Sequence, residues 1–275
     1  MDLNEYIHKV HDNLAKKAQL YIETISEKYS KYIPDYKIEQ LTNIDDYHNV
    51  VFMENLKTVS AFADNRGVHV PLEAIGAFRY FSGLKEYGKD KNHVLCNKDN
   101  LIINDNTFYD YVEHLVLTGA SPQDYYQDLL LHEVMHFCGS GGANALKEGI
   151  NEYLTRKVAK EEGFRTSGCG YPKETKIAYE LEQIFGEDVL NQIAFINNEE
   201  HILAFLEEKK GVKAKEFYKK LSIEMEKEFK EKYFKDINRY DGIEGIKAKC
   251  DNYNKIDYSR ANKLISEYKR NNNRQ

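Results

Sequence analysis

The hydrophobic positions between residues 1 and 30 repeat with the period of an α-helix. Because apolar side chains three or four residues apart lie on one face of a helix, the pattern predicts an amphipathic N-terminal helix. His8 and His11 are three residues apart on it and could share a face. Two histidines without a third ligand are more typical of a protein surface than of a metal site. The apolar positions are Leu3, Tyr6, Ile7, Val10, Leu14, Tyr21 and Ile25.

The hydrophobic pattern between residues 43 and 119 is mixed. Short apolar runs at Val68–Leu72, His93–Cys96 and Leu101–Ile103 are bounded by turn-forming Asn, Asp and Gly residues. Such runs are typical of strands, and they predict a small, mostly antiparallel sheet. Short helices are predicted beside it around Glu73–Phe81 and Phe108–Leu117.

Helices are predicted for most of the chain after Ser121. The segment Ser121-Pro122-Gln123-Asp124 combines an N-cap Ser, a Pro at the first helical position and an acid in the first turn, so a helix begins there. It runs to Phe137 or Cys138 and ends at the glycine-rich segment Gly139–Gly142. A second helix covers Asn144–Glu162 and ends at Gly163. The later predicted helices are Lys173–Phe185, Asp188–Ile196, Glu199–Lys209 and Lys213–Phe234, followed by a frayed end at Lys269–Gln275.

These elements together predict an α+β fold. A small sheet precedes the two helices at 121–162, and the part from 173 to 275 is largely helical. The sequence contains no internal repeat and no long linker, so residues 1–275 are predicted to form a single domain. Its earlier parts are the N-terminal helix at 1–30 and the mixed α/β part at 43–119.

The composition narrows the class of protein. The chain has 275 residues, a net charge of −6 and 31% charged residues of both signs, interleaved without the basic stripe of a nucleic-acid partner. No apolar run approaches the roughly 20 residues that span a bilayer, and the N-terminus lacks the features of a secretory signal. We therefore expect a soluble, cytoplasmic protein, with export by a route that uses no such signal left open. The four cysteines form no CxxC pair and are expected to be reduced thiols: Cys96, Cys138, Cys169 and Cys250.

The segment His132-Glu133-Val134-Met135-His136 carries the chemistry that the sequence predicts. Its two histidines are four residues apart, so on a helix they lie on one face and both imidazoles can reach one zinc ion. Glu133 is rotated about 100° around the helix, close enough to meet a metal-bound water without being a ligand. The preceding run Leu129–Leu131 provides the apolar anchoring that a buried metal helix needs.

The second helix offers two candidates for a third zinc ligand. Glu148 and Glu152 lie one turn apart and can both face the first helix. Between them, Gly149 would let the two helix backbones approach closely, whereas a glycine otherwise costs a helix roughly 1 kcal/mol relative to Ala. An exposed acidic face would not need an interior glycine. Glu148 is therefore favoured as the third ligand, and Glu152 is the alternative.

This arrangement resembles the gluzincin metallopeptidases, in which a HExxH helix is followed by a Glu ligand on the next helix. The letters LKEGINEY that begin at Leu146 are similar to the NEG segment of the gluzincin aminopeptidases and to EGxxEY in related peptidase-like proteins. The resemblance implies that His132, His136 and Glu148 bind zinc and that Glu133 is the catalytic base.

The resemblance also implies a separate role for Glu152, because an acid four residues after the ligand orients the first histidine in the thermolysin-like branch. The similarity covers Ser121–Glu162 and departs from the family in one respect. Eleven residues separate His136 from Glu148, fewer than in the aminopeptidase and thermolysin branches, which leaves room only for a tight turn.

A second local similarity lies upstream. Met53-Glu54-Asn55 is similar to the motif with which the aminopeptidases bind the substrate amine, but Val51 stands where that motif has a glycine. A role for Glu54 in exopeptidase recognition is therefore disfavoured. By analogy with the edge strand of the family, the predicted strand Leu101–Ile103 could pair with an extended substrate.

Peptide hydrolysis also needs a group that stabilises the developing oxyanion. Tyr171 lies in the loop Gly168–Pro172, directly before a predicted helix, and a phenol there could swing towards the metal. His201 and Arg165 are alternatives.

The sequence therefore predicts a zinc-dependent peptidase that acts on a peptide or protein substrate, with a metal-activated water and Glu133 as general base. One alternative is a zinc-binding, peptidase-like sensor or binding module, which Glu133 disfavours because pure binding needs no base beside the metal. Another is a zinc hydrolase that acts on a non-peptide amide. The sequence does not determine the oligomeric state.

Overall fold

Helices dominate the computed structural model, which describes residues 3–54, 61–71, 122–139, 144–166, 170–196, 198–235, 248 and 251–272. These ranges contain nine α-helices, a short 3-10 turn at Tyr47–Val50 and one small sheet. The helices are α1 (Leu3–Lys28), α2 (Asp35–Thr42), α3 (Pro122–Cys138), α4 (Ala145–Glu162), α5 (Pro172–Phe185), α6 (Glu187–Phe195), α7 (Glu199–Lys210), α8 (Val212–Tyr233) and α9 (Ser259–Asn272).

The sheet has the strand order β1-β3-β2, with β1 at Val51–Glu54, β2 at Phe62–Ala63 and β3 at Val68–Pro71. β1 pairs with β3 in parallel, and β2 pairs with β3 in antiparallel orientation. The predicted α+β class is confirmed, while the expectation of a mostly antiparallel sheet holds for one of these two pairings. Four predicted elements lie outside the described residues: the strands His93–Cys96 and Leu101–Ile103, and the helices Glu73–Phe81 and Phe108–Leu117.

A first hydrophobic core joins the sheet to α1, α2 and α3. The face of α1 that the sequence predicted is buried at Leu14, Tyr21 and Ile25. It packs against α3, whose Leu130 and Val134 are fully buried. This packing secures the helix that carries the HExxH segment, because α3 buries apolar side chains on several sides.

A second hydrophobic core is built by α4 to α9, and α4 takes part in both cores. Leu154 and Val158 of α4 belong to the first core, whereas Leu146 and Ile150 belong to the second. A helix that is buried on two sides shows little amphipathic pattern in its sequence. α4 is therefore held between the two groups of helices, and its position relative to α3 follows from both.

The helix boundaries agree closely with the sequence signals. Pro122 is the first residue of α3, as its place after Ser121 predicted. Asn144 caps α4, because its side chain accepts a hydrogen bond of 2.9 Å from the backbone N–H of Lys147. At the other end, Gly163 adopts a left-handed φ of 68°, which favours glycine as the stop residue. The four later predicted helices correspond to α5, α6, α7 and α8 with ends that differ by one residue at most.

The C-terminal end departs from the prediction. Residues from Lys269 were expected to be frayed, but α9 continues to Asn272. Ala261 and Ile265 of α9 are buried in the second core, and this packing extends the helix beyond what the polar sequence indicates.

Two further sequence expectations concern thiols and the membrane. Cys138 is a free, buried thiol, and burial raises its pKa to about 12. The other three cysteines lie outside the described residues. No helix in the described ranges is long and apolar enough to cross a bilayer.

Candidate metal centre

The two histidines of the HExxH segment lie side by side on α3. His132 and His136 are four residues apart, and their ring centroids are 4.8 Å apart at an angle of 76°. The neighbouring Leu131 and Met135 are buried in the first core and hold this part of α3 in place. Both imidazoles therefore face the same side of the helix, towards α4.

Glu148 of α4 completes a group of three possible ligands. Its Oε2 atom lies 3.2 Å from Nε2 of His132 and 3.3 Å from Nε2 of His136. One ligand atom from each of the three residues lies within 4.8 Å of the others, so the group could hold a metal ion. No other such group occurs in the part of the chain that the structure describes.

Glu152 contacts the opposite side of the His132 ring. Nδ1 of His132 donates to Oε2 of Glu152 at 2.8 Å. This hydrogen bond fixes the orientation of the ring, with Nε2 facing Glu148. The two glutamates, which the residues alone left as alternatives, thus lie at different nitrogens of one histidine.

Charge and burial shift the pKa values of the possible ligands and of Glu152 in opposite directions. Burial alone would raise the pKa of Glu148, but His136 and His132 hold it well below its usual range. Burial also disfavours the charged form of His132, yet its hydrogen bonds with Glu148 and Glu152 raise its pKa well above the usual value. Burial raises the pKa of Glu152, but the contacts with His132, Arg156 and the backbone N–H of Gly170 together lower it to about 2. The group is thus a set of mutually paired charges, and a cation would replace protons shared among them.

Glu133 is the buried carboxylate beside this group. It is 7% exposed. Burial raises its pKa, the two histidines lower it, and the negative charges of Glu148 and Glu152 raise it again. The net effect of these causes is a raised pKa of the Glu133 carboxylate.

Tyr171 reaches the ligand group from the loop before α5. It occupies the N-cap position of α5, and Pro172 follows as the first helical residue. Its ring is stacked on the ring of His132, with centroids 5.7 Å apart and an angle of 28°. The charge of Glu148, followed by burial, raises the pKa of the Tyr171 phenol well above its usual value. The alternative candidates, His201 and Arg165, are both exposed.

Gly149 serves a different contact from the one predicted. A Cβ atom there would lie 2.7 Å from backbone and side-chain atoms of Glu174 on α5. The sequence predicted that this glycine would bring α4 close to α3, and that prediction is wrong. Glu148 and Glu152 point from α4 towards α3, while Gly149 is rotated around the helix and faces α5.

Sequence reasoning missed three residues around His132. Asn151 donates from Nδ2 to the carbonyl oxygen of His132 at 3.2 Å. Arg156 contacts both Glu152 and Asp128, and the latter lies one turn before His132. The sequence signal for Asp128 and Arg156 is their four-residue spacing from His132 on α3 and from Glu152 on α4.

The remaining candidates lie near the sheet and α1. Glu54 contacts Nδ1 of His69 at 2.9 Å through its Oε2 atom, so its carboxylate is engaged within the sheet. His11 donates from Nε2 to the carbonyl oxygen of Val51 at 2.8 Å, and His8 is exposed. The upstream similarity at Glu54 thus falls on a residue that binds another strand.

Comparison of the chain with protein-family models, with curated proteins and with solved structures gives no match.

Proposed function

We propose that this protein is a zinc-dependent peptidase whose metal ligands are His132, His136 and Glu148. The observation that carries the proposal is the convergence of both histidine Nε2 atoms on Oε2 of Glu148, at 3.2 and 3.3 Å. Repulsion among buried lone pairs makes such convergence costly unless a proton or a cation lies between the atoms. The shared oxygen atom is therefore the strongest support for a cation site.

The donor set fits zinc. Two imidazole nitrogens and one carboxylate oxygen are the protein ligands typical of catalytic zinc sites, which keep a fourth position for water or substrate. The hydrogen bond from His132 to Glu152 resembles the outer contacts that orient ligating histidines. Zinc held in this way would polarise a substrate carbonyl and lower the pKa of a water molecule to about 7.

Glu133 would then transfer the protons of the reaction. Glu133 accepts a proton from the attacking water and later transfers it to the leaving amine. Its burial supports this role, because a carboxylate with a raised pKa holds a proton more readily between the two steps.

Tyr171 is positioned to stabilise the negative charge that develops on the carbonyl oxygen. Its ring lies against His132, and the nearby carboxylates keep the phenol protonated. A protonated phenol can donate a hydrogen bond to an oxyanion.

The proposal is tested by metal analysis and by cleavage of a peptide library. We expect about one zinc ion per purified chain, and we expect the Glu133→Gln variant to retain zinc while losing about 10²–10⁴-fold in cleavage rate. The exposed Glu200→Gln variant on α7 is the matched control and should cleave like the wild type.

Each contrary result has a defined meaning. Purified protein that binds no zinc would refute the metal proposal. Zinc binding without cleavage of any peptide would favour a binding module, and cleavage of only non-peptide amides would favour the other hydrolase. Cleavage that is unchanged in Glu133→Gln would exclude this residue as the base.

A further inference from the structure

Four residues of alternating charge connect α3 to α4 behind the ligand group. On α3 they are Asp128 and His132, and on α4 they are Glu152 and Arg156, each pair four residues apart. His132 Nδ1 lies 2.8 Å from Glu152, and Arg156 lies 2.7 Å from both Glu152 and Asp128. The contacts thus run in sequence from the metal ligand to a second acid on its own helix.

The two oxygen atoms of the Glu152 carboxylate accept hydrogen bonds from different partners. Its Oε2 atom accepts the hydrogen bond from His132. Its Oε1 atom accepts one from Arg156 Nε at 2.7 Å and another from the backbone N–H of Gly170 at 2.8 Å. Gly170 directly precedes Tyr171. One carboxylate therefore connects a metal ligand with the loop that carries the phenol.

Arg156 is the group that can hold this carboxylate in one orientation. Glu152 is 1% exposed and Asp128 is 2% exposed, so each buried charge needs a partner. The planar guanidinium presents donors in several fixed directions, which allows it to contact acids on two helices at once. Lysine, with a single ammonium group, could not reproduce this geometry.

We propose that Arg156, anchored by Asp128, is a positioning residue for the metal centre. It keeps Glu152 turned so that one oxygen faces His132 and the other faces Gly170. This inference rests on the proposed function, since it assigns the contact a role in metal binding and in the placement of Tyr171. Arg156 acts through Glu152 and does not itself touch the metal or the substrate.

The primary test compares zinc dissociation constants, measured by competition with a chromogenic chelator. In Arg156→Met, we expect zinc affinity to fall by about tenfold, within the range for residues that orient metal ligands. The matched control is Lys157→Met. Lys157 is the next residue of α4 and pairs with Glu182 and Glu187, each at 2.7 Å, away from Glu152. The control should lose stability while its zinc affinity stays at the wild-type value.

A double-mutant cycle shows whether Arg156 acts through Glu152. If it does, adding Arg156→Met to Glu152→Gln should change zinc affinity by less than about twofold, because the carboxylate to be oriented is already gone. A fall of about tenfold in both backgrounds would overturn the proposal. Cobalt-substituted protein provides a second readout, because the visible absorption of Co²⁺ should change in Arg156→Met and not in Lys157→Met.

Failure of this inference differs from failure of the proposed function. A wild-type protein that binds no zinc refutes both. Wild-type protein that binds zinc, with affinity unchanged in every folded Arg156 variant, overturns the positioning role alone. Should Arg156→Met not fold, Arg156→Lys retains the charge without the fork-shaped geometry, and we expect it to bind zinc severalfold more weakly than the wild type.

Discussion

His132 and His69 are two buried histidines with similar surroundings and different places in the molecule. Each has a carboxylate oxygen near each ring nitrogen. His132 lies 2.8 Å from Glu152 and 3.2 Å from Glu148, and His69 lies 2.9 Å from Glu54 and 3.2 Å from Asp64. By distance alone, the two sites can hardly be told apart.

The two histidines differ in the other residues that contact them and their carboxylate partners. The carboxylate oxygen at Nε2 of His132 also contacts His136, so three ligand atoms converge. The ring of His69 is instead stacked between Phe52 and Phe62, with centroid distances of 4.7 and 4.2 Å. Aromatic rings therefore pack against both faces of the His69 ring within the sheet.

This comparison separates two properties that are easily confused. A buried histidine paired with acids is a common way to satisfy polar atoms inside a protein. A metal site needs several ligand atoms directed at one point. Among the described residues, such atoms converge at Nε2 of His132, whereas the two acids near His69 lie at opposite ends of its ring. Convergence, and not burial or pairing, marks the candidate metal centre.

The largest effect is expected from removing the converging carboxylate. Glu148→Ala should weaken zinc binding by more than the roughly 100-fold that marks the upper range for outer contacts, since it deletes a proposed ligand. Isothermal titration with zinc measures this change. The matched control is Glu54→Ala, which removes an acid from His69 and should bind zinc as the wild type does. Equal losses in the two variants would contradict the distinction between the sites.

The second effect concerns the acid at the other nitrogen of His132. Glu152→Gln should weaken zinc binding by about 10–100-fold, because the amide no longer holds the ring with a negative charge. The same titration measures it, with Asp64→Asn beside His69 as the control. Zinc affinity that is unchanged in Glu152→Gln would show that the 2.8 Å contact has no role in ligand orientation.

A smaller effect is expected at the structural histidine. His69→Ala should lower the free energy of unfolding by about 2 kcal/mol, because it leaves a gap between two phenylalanine rings and removes the hydrogen-bond partner of Glu54. Urea denaturation measures the loss. Zinc stoichiometry should stay at the wild-type level, and a variant that folds but has lost its zinc would link the sheet to the metal centre.

The smallest effect is expected at His48, an exposed histidine with two acids. Its Nδ1 lies 2.7 Å from Asp46 and its Nε2 lies 3.0 Å from Asp12. The hydrogen bonds with Asp46 and then Asp12 raise the pKa of His48 above its usual 6.5. The stabilisation is therefore full below pH 6.5 and is lost as pH rises through the folded-state pKa.

This loss can be measured as a difference in melting temperature. At pH 5.5 the melting temperature of the wild type should be slightly higher than that of His48→Asn. This difference should disappear at higher pH. Asp12→Asn, which removes one of the two acids, should show a weaker pH dependence than the wild type. A margin that does not vary with pH would contradict the role of the charged histidine.

The helices and their ends were largely determined by the sequence itself. Proline at a first helical position and a left-handed glycine act within a few residues of the backbone that they start or stop, so Pro122 and Gly163 were recognised from the sequence. Asn144 was predicted as the first residue of its helix and is the N-cap instead. The four-residue spacing of His132 and His136 likewise depends only on helix geometry.

The relations between helices were decided by the tertiary structure. Sequence spacing placed Glu148 and Glu152 on one face of α4, but only the packing of α4 against α3 assigned them to opposite nitrogens of His132. The partner of Gly149 and the contact of Arg156 with Asp128 depend on the same packing. Capping residues and residue spacing act within one helix. The side-chain contacts between helices depend instead on how each helix is rotated about its axis relative to its neighbour. That rotation is set by burial in two cores built from distant parts of the chain.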